Sequence, residues 1–561
     1  MDNKSLLAIV LCIVILIGYQ SLISYLYPPS EPLQPQTQQP LVGSESAPPA
    51  DQQTPLLSER RRTDVEQQEE QAPGMPQPAS TAPLTPVEQD ITVETDTYIA
   101  IFTSMGGRIK SFQLKQYPVT LSPDSPLLEM VIAGTYGELP FVLSLSGKNI
   151  TLSDETLPYT VKGVPAGKRL FVPTGSDKDL VFRGSLANGA TFTKTFTFSG
   201  EGYGIGLSVD VTQLPFQAST LSLSWLEGSR SEGKSAYYDV YGPVALLGRT
   251  FEYENAWDWE AGDSYGPGDV RWAGFTNSYF LAGMMPRDIE TAQLFFRDED
   301  ETLETRLSTP WSGEAVSYTL YVGPKDTEAL NAVDPAFDRA IDFGWSHFIA
   351  RPLVSLLRFL YGVTGNYGIA IILLTVLVKL VFFPLSNKSF KSMSAMKKLQ
   401  PQIERLREQY KDDRQKLNQE MMELYKRYEV NPLGGCLPMI VQLPVFIGLY
   451  QGLLYAIELR QAPFFGWIED LSQPDRLGAL AIPFVDPPGI PVLTLLMGGS
   501  MIIQQMMMPT TGDPIQQKMM LLMPVIFTVM FINFPAGLVL YWLINNVLSV
   551  AQQHWYTKTY G

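Results

Sequence analysis

The run Gly368–Leu385 (GIAIILLTVLVKLVFFPL) is eighteen residues long and carries a single charge, Lys379. An apolar stretch of that length reads as a membrane-spanning helix, and this restricts everything around it. The lysine adds a second constraint. A cation inside the hydrocarbon layer costs about 2.5–3.5 kcal/mol on insertion scales, so such residues face a cavity or a partner rather than lipid. Snorkelling is the other option. Lys379 lies six residues before Leu385, roughly 9 Å along a helix, which leaves headgroups within reach of its amine. This run alone leaves both readings open.

Five further apolar segments accompany it. Leu6–Leu26 holds 21 residues without a charge, preceded by Lys4. It is long for a signal-peptide core, SLISYLYPP offers no small-residue cleavage site, and Leu11 precedes Cys12 where a lipoprotein signal needs a small residue. Residues 1–27 therefore read as a retained anchor. The others are Leu433–Leu459, Ile490–Met508, Met519–Phe534 and Leu538 to about Gln553, six spans in all. The last two are about 16 residues each, turned at Phe534-Pro535-Ala536-Gly537. Sixteen residues reach roughly 24 Å against roughly 30 Å of hydrocarbon, so local bilayer thinning is expected.

The soluble parts differ in charge. Residues 28–345 hold 43 acids and 22 bases, whereas the remainder of the 561-residue chain holds 14 acids and 19 bases. An overall charge of −16 argues against nucleic-acid binding by the whole chain, and no sequence-specific nucleic acid is expected as a partner. Cys12 and Cys436 sit in or beside apolar runs and suggest no disulfide framework. His347 and His554 are far apart and lack metal-ligand spacing, so neither a metal, a cofactor nor a histidine-based triad is expected.

Residues 28–89 contain 13 prolines and no aromatic residue, the composition of an extended linker. Residues 90–343 alternate apolar and polar positions in short runs such as TYIAIFTS and TFTKTFTF, broken by Gly, Pro, Asn and Asp. This is the signature of antiparallel sheet and predicts a β-sandwich with a terminal helix around Asp326–Asp342. Gly202-Tyr-Gly204-Ile-Gly206 resembles a nucleotide loop only by spacing. With strand on both sides it reads as hairpin glycine. Residues 344–362 (WSHFIARPLVSLLRFLY at their heart) have the pattern of an interfacial amphipathic helix, leading into a span over 363–385.

Residues 386–430 are polar and basic. Leu399, Ile403, Leu406 and Tyr410 step by 4, 3 and 4, as do Leu417, Met421, Leu424 and Tyr428, with Lys411-Asp412-Asp413 as break and N-cap between them. Two helices in an antiparallel hairpin are expected, seam against seam. Spans then follow at 431–459, 490–508, 519–534 and 538–553. Loops at 460–489 and 509–518 and a tail at 554–561 complete the chain. The basic hairpin is cytoplasmic under the positive-inside bias, which makes both termini cytoplasmic and the acidic β-domain and the 460–489 loop exported.

The spans also carry Gln442, Gln504, Gln505, Thr528, Asn545 and Asn546. One such residue is ordinarily glue between helices. Several around a cation suggest a hydrated cavity. No acidic residue lies near mid-membrane, since Glu458 falls at the outer end of its span. Lys379 therefore has no evident salt-bridge partner and no proton relay is apparent, which argues against an ion-coupled transporter. Met501, Met506, Met507, Met508, Met519, Met520 and Met523 flank the last loop, and flexible thioethers suit varied apolar contacts.

Five stretches carry a resemblance: NPLGGCLPMIVQLPVFIGLYQGL (Asn431–Leu453), ELRQAPF (Glu458–Phe464), DPIQQKMM (Asp513–Met520), MPVIFTV (Met523–Val529) and FPAGLVLYWLINN (Phe534–Asn546). They closely resemble the YidC/Oxa/Alb family of membrane protein insertases in its Gram-negative form, and the likeness covers essentially the whole chain. It implies a polytopic α-helical membrane protein with six TM helices, a five-helix insertase core and a supersandwich-like exported domain similar to sugar-mutarotase folds. It implies placement in the bacterial inner membrane and no enzymatic step. It also implies a substrate groove open to cytoplasm and lipid but closed outward, with Lys379 in the position of the family's groove cation. Gln442, Gln504, Thr528, Asn545 and Asn546 are its expected companions. The implied partners are nascent membrane proteins, the Sec translocon, the ribosome and the lipid bilayer. Lys397, Lys398, Arg405 and Arg407 of the hairpin are the expected ribosome and nascent-chain contacts. Two departures stand out: relatives typically carry Arg where this chain has Lys379, and many have a longer basic tail than HWYTKTYG. A membrane-anchored carbohydrate enzyme and a solute channel are the competing classes. The β-domain lacks histidine and a paired-carboxylate motif; conductance in liposomes would reveal a channel.

Overall fold

The computed structural model describes residues 88–134, 137–165, 167–228, 241–253, 264–289, 291–299, 302–411, 413–428, 430, 437–483, 485–507 and 514–560. The expected anchor at 1–27, nearly all of the linker 28–89, the start of the expected span at 431–436 and residues 509–513 of the expected loop lie outside the described residues.

From Asp90 to Pro324 the chain forms three sheets of five, nine and six strands, antiparallel apart from one pairing of Thr92–Glu94 with Arg169–Phe171. Alternation sets which side chains go in. In Gly204–Thr212 every second residue is buried, and the Gly202–Gly204 glycines stand at a turn into this strand, as their strand-flanked position suggests. Trp225, Trp272, Phe102 and Phe196 are almost wholly buried between the sheets.

The same alternation carries a charge into the core. In Thr191–Ser199 the inward positions are Phe192, Lys194, Phe196 and Phe198, so Lys194 is fully buried. Its ammonium lies 2.6 Å from the Asp154 carboxylate and donates to the carbonyls of Gly106 and Phe141 at 2.7 Å each. Asp154, also fully buried, accepts from the Leu143 amide and the Tyr159 hydroxyl, both at 2.8 Å. Burial pushes the Lys194 pKa down, and the attraction of Asp154 opposes it. Every charged atom thus has partners from separate strands and loops, which is the condition under which a buried pair is tolerated.

Eight helices are described beyond the sheets. Helix α1 (Thr327–Val333) is capped by Asp326, whose side chain accepts from the Glu328 and Ala329 amides. It is shorter than the 326–342 helix the sequence suggests. Asp334 is forced out of the helical region by Pro335, and only a short 3-10 turn, Phe337–Ala340, resumes. Helix α2 (His347–Thr364) buries Ala350, Val354, Leu357 and Leu360 on one face and ends on Gly365 in the left-handed region. Helix α3 (Tyr367–Gln409) starts where Asn366 caps the Ile369 amide. Then come α4 (Arg414–Arg427), α5 (Leu437–Tyr455), α6 (Val492–Met506), α7 (Pro514–Met530) and α8 (Ala536–Tyr560).

Three boundaries differ from the sequence reading. The span at 363–385 and the first hairpin arm are one 43-residue helix, α3, because no glycine or cap interrupts Ile369–Gln409. Helix α8 continues through 554–560, which the apolar pattern assigned to a tail. Helix α7 begins at Pro514, inside the expected loop. In the hairpin, Leu399 and Ile403 pack against Leu424, Tyr425 and Val430, while Tyr428 is 48% exposed. The second seam keeps Met421 and Leu424 as expected, and Tyr425 takes the place expected for Tyr428. Asp413 does cap α4, accepting from the Lys416 amide.

Among the described residues, α3 is the helix long and apolar enough to cross a membrane by length and composition; α6 and Leu521–Met530 are shorter apolar helices. A buried apolar cluster joins α2, α3, α5, α6, α8 and the loop after α5, through Leu357, Ile371, Leu449, Leu471, Met497 and Val539.

Replacing Lys194 by Met leaves Asp154 buried without its cation and should destabilise the β-domain by about 3–5 kcal/mol. Adding Asp154→Asn, which still accepts from Leu143 and Tyr159, should restore most of that loss. Pulse proteolysis of the full chain in urea measures both, and equal stability of the single and double variants would contradict the account.

Candidate functional site

One face of α8 assembles the polar groups of the helical bundle. Asn545, Asn546, Ser549, Gln552 and Gln553 follow the i, i+1, i+4, i+7, i+8 spacing that aligns side chains on one side of a helix. Lys379 of α3 donates to the Ser549 hydroxyl at 2.7 Å, and that hydroxyl donates to the Asn545 carbonyl at 2.7 Å. Gln442 of α5 donates to the Asn545 side-chain oxygen at 2.7 Å. Asn546 is buried and donates to Ser500 of α6 at 3.1 Å; Ser500 in turn donates to the Met497 carbonyl. Farther along, Gln552 donates to Asn387 of α3 and Gln553 to the Met507 carbonyl at the end of α6, each at 3.0 Å.

Lys379 therefore shares a hydrogen-bonded cluster with Asn545 and, through it, with Gln442. Its partner is neutral, and among the described residues no carboxylate pairs with it. The helices explain the meeting. Lys379 is the thirteenth residue of α3 and Ser549 the fourteenth of α8, and the two helices run parallel side by side. At 1.5 Å per residue both side chains lie roughly 18–20 Å from their helix starts. The contact continues beyond them through Phe383 with Trp555 and Phe390 with Tyr556, at 6.2 Å between ring centres in each case.

Two expected companions stand apart. Gln504 is half-buried one turn beyond Ser500, and no hydrogen bond joins it to the cluster among the described residues. The Thr528 hydroxyl donates to the Pro524 carbonyl of its own helix at 2.7 Å. Its side chain packs on Gly498 so closely that a Cβ there would lie 2.2 Å from Oγ1, a close helix approach that only glycine permits. Ser549 and Ser500 are the residues that sequence reasoning missed. Their signal was present, because both share a helical face with asparagines or glutamines already singled out.

On the hairpin, Lys397, Lys398 and Arg405 are exposed and Arg407 is half-buried. They lie along the α3 arm outside the apolar seam. At the other end of the bundle the loop after α5 is closely tied. Buried Asp475 accepts from the Leu493 amide at 2.7 Å and the Thr494 hydroxyl at 3.2 Å, capping α6. Arg476 donates to the Ile532 carbonyl and the Asn533 side chain between α7 and α8. Phe464 covers Gly368, where a Cβ would approach within 1.9 Å. The sheet domain is joined there too. Arg358 of α2 pairs with Glu458 and lies 3.8 Å from Asp326, Arg351 pairs with Asp338, and Arg460 and Gln461 donate to the Pro118 carbonyl.

Residues 90–356 match the family model described as YidC periplasmic domain, and residues 359–561 match the one described as 60Kd inner membrane protein. The membrane protein insertase YidC of Syntrophus aciditrophicus (strain SB) is 40% identical over 571 residues, covering 100% of each chain. That of Pelobacter propionicus is 37% identical over 573 residues, covering 100% of this chain and 99% of the relative. A crystal structure of active YidC insertase with the first transmembrane domain resolved aligns at 20% identity and a TM-score of 0.36, covering 84% of this chain and 92% of that one. With both family models matched and full-length relatives at this identity, the chain belongs to the YidC family of membrane protein insertases, proteins of the inner membrane with a periplasmic domain.

Proposed function

We propose that this chain moves nascent membrane proteins from the cytoplasm into the bilayer along a hydrated groove beside α3 and α8, with Lys379 as its positive charge. In this reading six helices span the membrane, both termini are cytoplasmic and the sheets are periplasmic. The observation that carries it is the uneven packing of the bundle. Its periplasmic end is an apolar plug in which Leu374, Leu471, Met497 and Val539 are wholly or nearly wholly buried. Toward the cytoplasm the cluster around Lys379 is polar and only partly covered. On α7, Leu522, Ile526 and Val529 are half exposed, at 54%, 51% and 59%. This contrast supports the reading of a cleft closed outward and open to cytoplasm and lipid.

The physics follows from that shape. A short polar or acidic segment that must cross cannot enter hydrocarbon unaided. A wet cleft carries it roughly halfway, and the 17 residues of α7 reach about 25 Å against roughly 30 Å of hydrocarbon, so the remaining dry path is short. Lys379, unneutralised by its serine partner, attracts the segment's carboxylates while the adjoining apolar helix partitions sideways into lipid. Lysine supplies a point charge rather than a planar fork, so position matters more than bidentate geometry. No covalent step or nucleotide is needed. The exposed bases of the hairpin face incoming ribosomes, and the periplasmic domain and lateral surfaces leave room for action with or without the Sec translocon.

Three experiments test this reading, the first in cells depleted of the resident insertase. Lys379→Arg should sustain insertion of a substrate with an acidic exported tail, Lys379→Ala should lower it several-fold, and Lys379→Glu should nearly abolish it. Equal insertion by the parent and Lys379→Glu would remove the charge from the mechanism. A photo-crosslinker at position 379 should capture a stalled nascent membrane protein and lose it on chain release. Reversing Lys397, Lys398, Arg405 and Arg407 to Glu should cut ribosome co-sedimentation at least several-fold while leaving detergent-solubilised stability unchanged. Unchanged co-sedimentation would move ribosome contact elsewhere.

A further inference from the structure

A cavity of about 410 Å³ lies where the sheet domain meets the outer end of α5. Its volume is within the range of small-ligand sites. Gln451 and Tyr455, one turn apart at the end of α5, form one wall; Phe251 and Glu252 of the edge strand Thr250–Tyr253 form another. Lys325 and Asp342 complete it from the segments leading out of the last strand and into α2. Lys325 is only 6% exposed, and its ammonium stands 5.7 Å from the centre of the Tyr455 ring. Asp342 is exposed and anchors the turn into α2 by accepting from the Gly344 amide at 3.0 Å. None of these residues belongs to the polar stripe of α8.

We infer that this cavity binds the headgroup of a zwitterionic phosphoethanolamine lipid from the outer leaflet. The inference rests on the reading that α5 spans the membrane with Tyr455 at its periplasmic end, which sets the cavity at headgroup depth beside the interfacial helix α2. The chemistry selects the ligand. Among the described residues one cation and two carboxylates line the cavity, so it favours a ligand carrying its own positive end over a purely anionic one. The phosphate lies against Lys325, a lysine being a point-charge phosphate binder. The ammonium falls to the Asp342 and Glu252 carboxylates, with the Phe251 ring lining the same cavity as a further cation-attracting surface. Tyr and Lys side chains commonly anchor at this depth because one end is apolar and the other wet. Lipid held here would pin the sheet domain to the membrane surface.

The test uses the full-length protein, purified in mild detergent, stripped of lipid and offered dioleoylphosphatidylethanolamine or dioleoylphosphatidylglycerol before native mass spectrometry. The parent should retain the ethanolamine lipid about tenfold better, the discrimination that one charged contact supplies. Lys325→Gln should lose retention of both lipids, Lys325→Arg should keep it, and the pair Glu252→Gln with Asp342→Asn should erase the preference. Soluble O-phosphorylethanolamine should compete only weakly. Equal retention of the two lipids, or Lys325→Gln behaving as the parent while melting at the same temperature, overturns the site. Soluble compound binding as tightly as lipid overturns the lipid assignment. Labelling of a cysteine in Gln461→Cys reads the membrane side of α5 independently, so failure of the topology and failure of the site are separable.

Discussion

The bundle depends on one apolar plug at the end where α3 and α8 begin. Among the described residues this is where the helices bury their largest shared apolar surface, through Ile371, Leu449, Leu471, Met497, Val539 and Tyr541. Small residues make it tight. A Cβ on Gly448 would lie 2.8 Å from Ile349, and one on Gly452 equally near Val354, so α2 seats directly on the α5 backbone. Because the plug aligns the starts of α3 and α8, it also sets Lys379 and Ser549 at a common depth. Arg476, reaching the turn between α7 and α8, and Asp475, capping α6, hold the covering loop in place.

Below the plug the balance changes. In hydrocarbon an unsatisfied polar group costs several kcal/mol, and Asn545, Asn546, Ser549, Gln552 and Gln553 of α8 each find a partner. The result is a helix tied to α3, α5 and α6 by Ser549, Asn545 and Asn546 respectively. These bonds are individually modest, on the order of 1 kcal/mol. Their arrangement matters more than their sum. They leave one cation, Lys379, hydrogen-bonded to a neutral hydroxyl, with no carboxylate paired to it among the described residues.

The sheet domain follows a different rule and meets the bundle at a narrow joint. There the partners are charged: Arg351 with Asp338, Arg358 at 3.8 Å from Asp326, and Arg460 at the Pro118 carbonyl. Partly exposed ion pairs contribute little stability but fix register and orientation. The interior of the domain contains the Lys194–Asp154 pair, which period-two alternation in TFTKTFTF places inward without indicating what would receive it.

Much of the architecture was legible in the chain itself. Period two over 90–343 marked the sheets, the 4-3-4 steps marked the hairpin, and Asp413 marked its break, because these signals are local and each is carried by neighbouring residues. Boundaries were less legible. Apolar content ends near Leu385 and Val550, but no glycine or cap stands there and α3 continues even across Pro384 and Pro401, so α3 and α8 run on through polar sequence. The candidate charge was visible at Lys379, as were Gln442, Asn545 and Asn546. Its partner was not, since 170 residues separate Lys379 from Ser549 and only the packing of parallel helices brings them together. Sequence by itself determined which residues are polar in an apolar setting and how each segment is periodic, both being properties of composition and spacing. The tertiary structure alone decided that the lysine meets a hydroxyl instead of a carboxylate, that Thr528 packs on Gly498 instead, and that the apolar plug lies at only one end, because these depend on which helix faces approach and how closely.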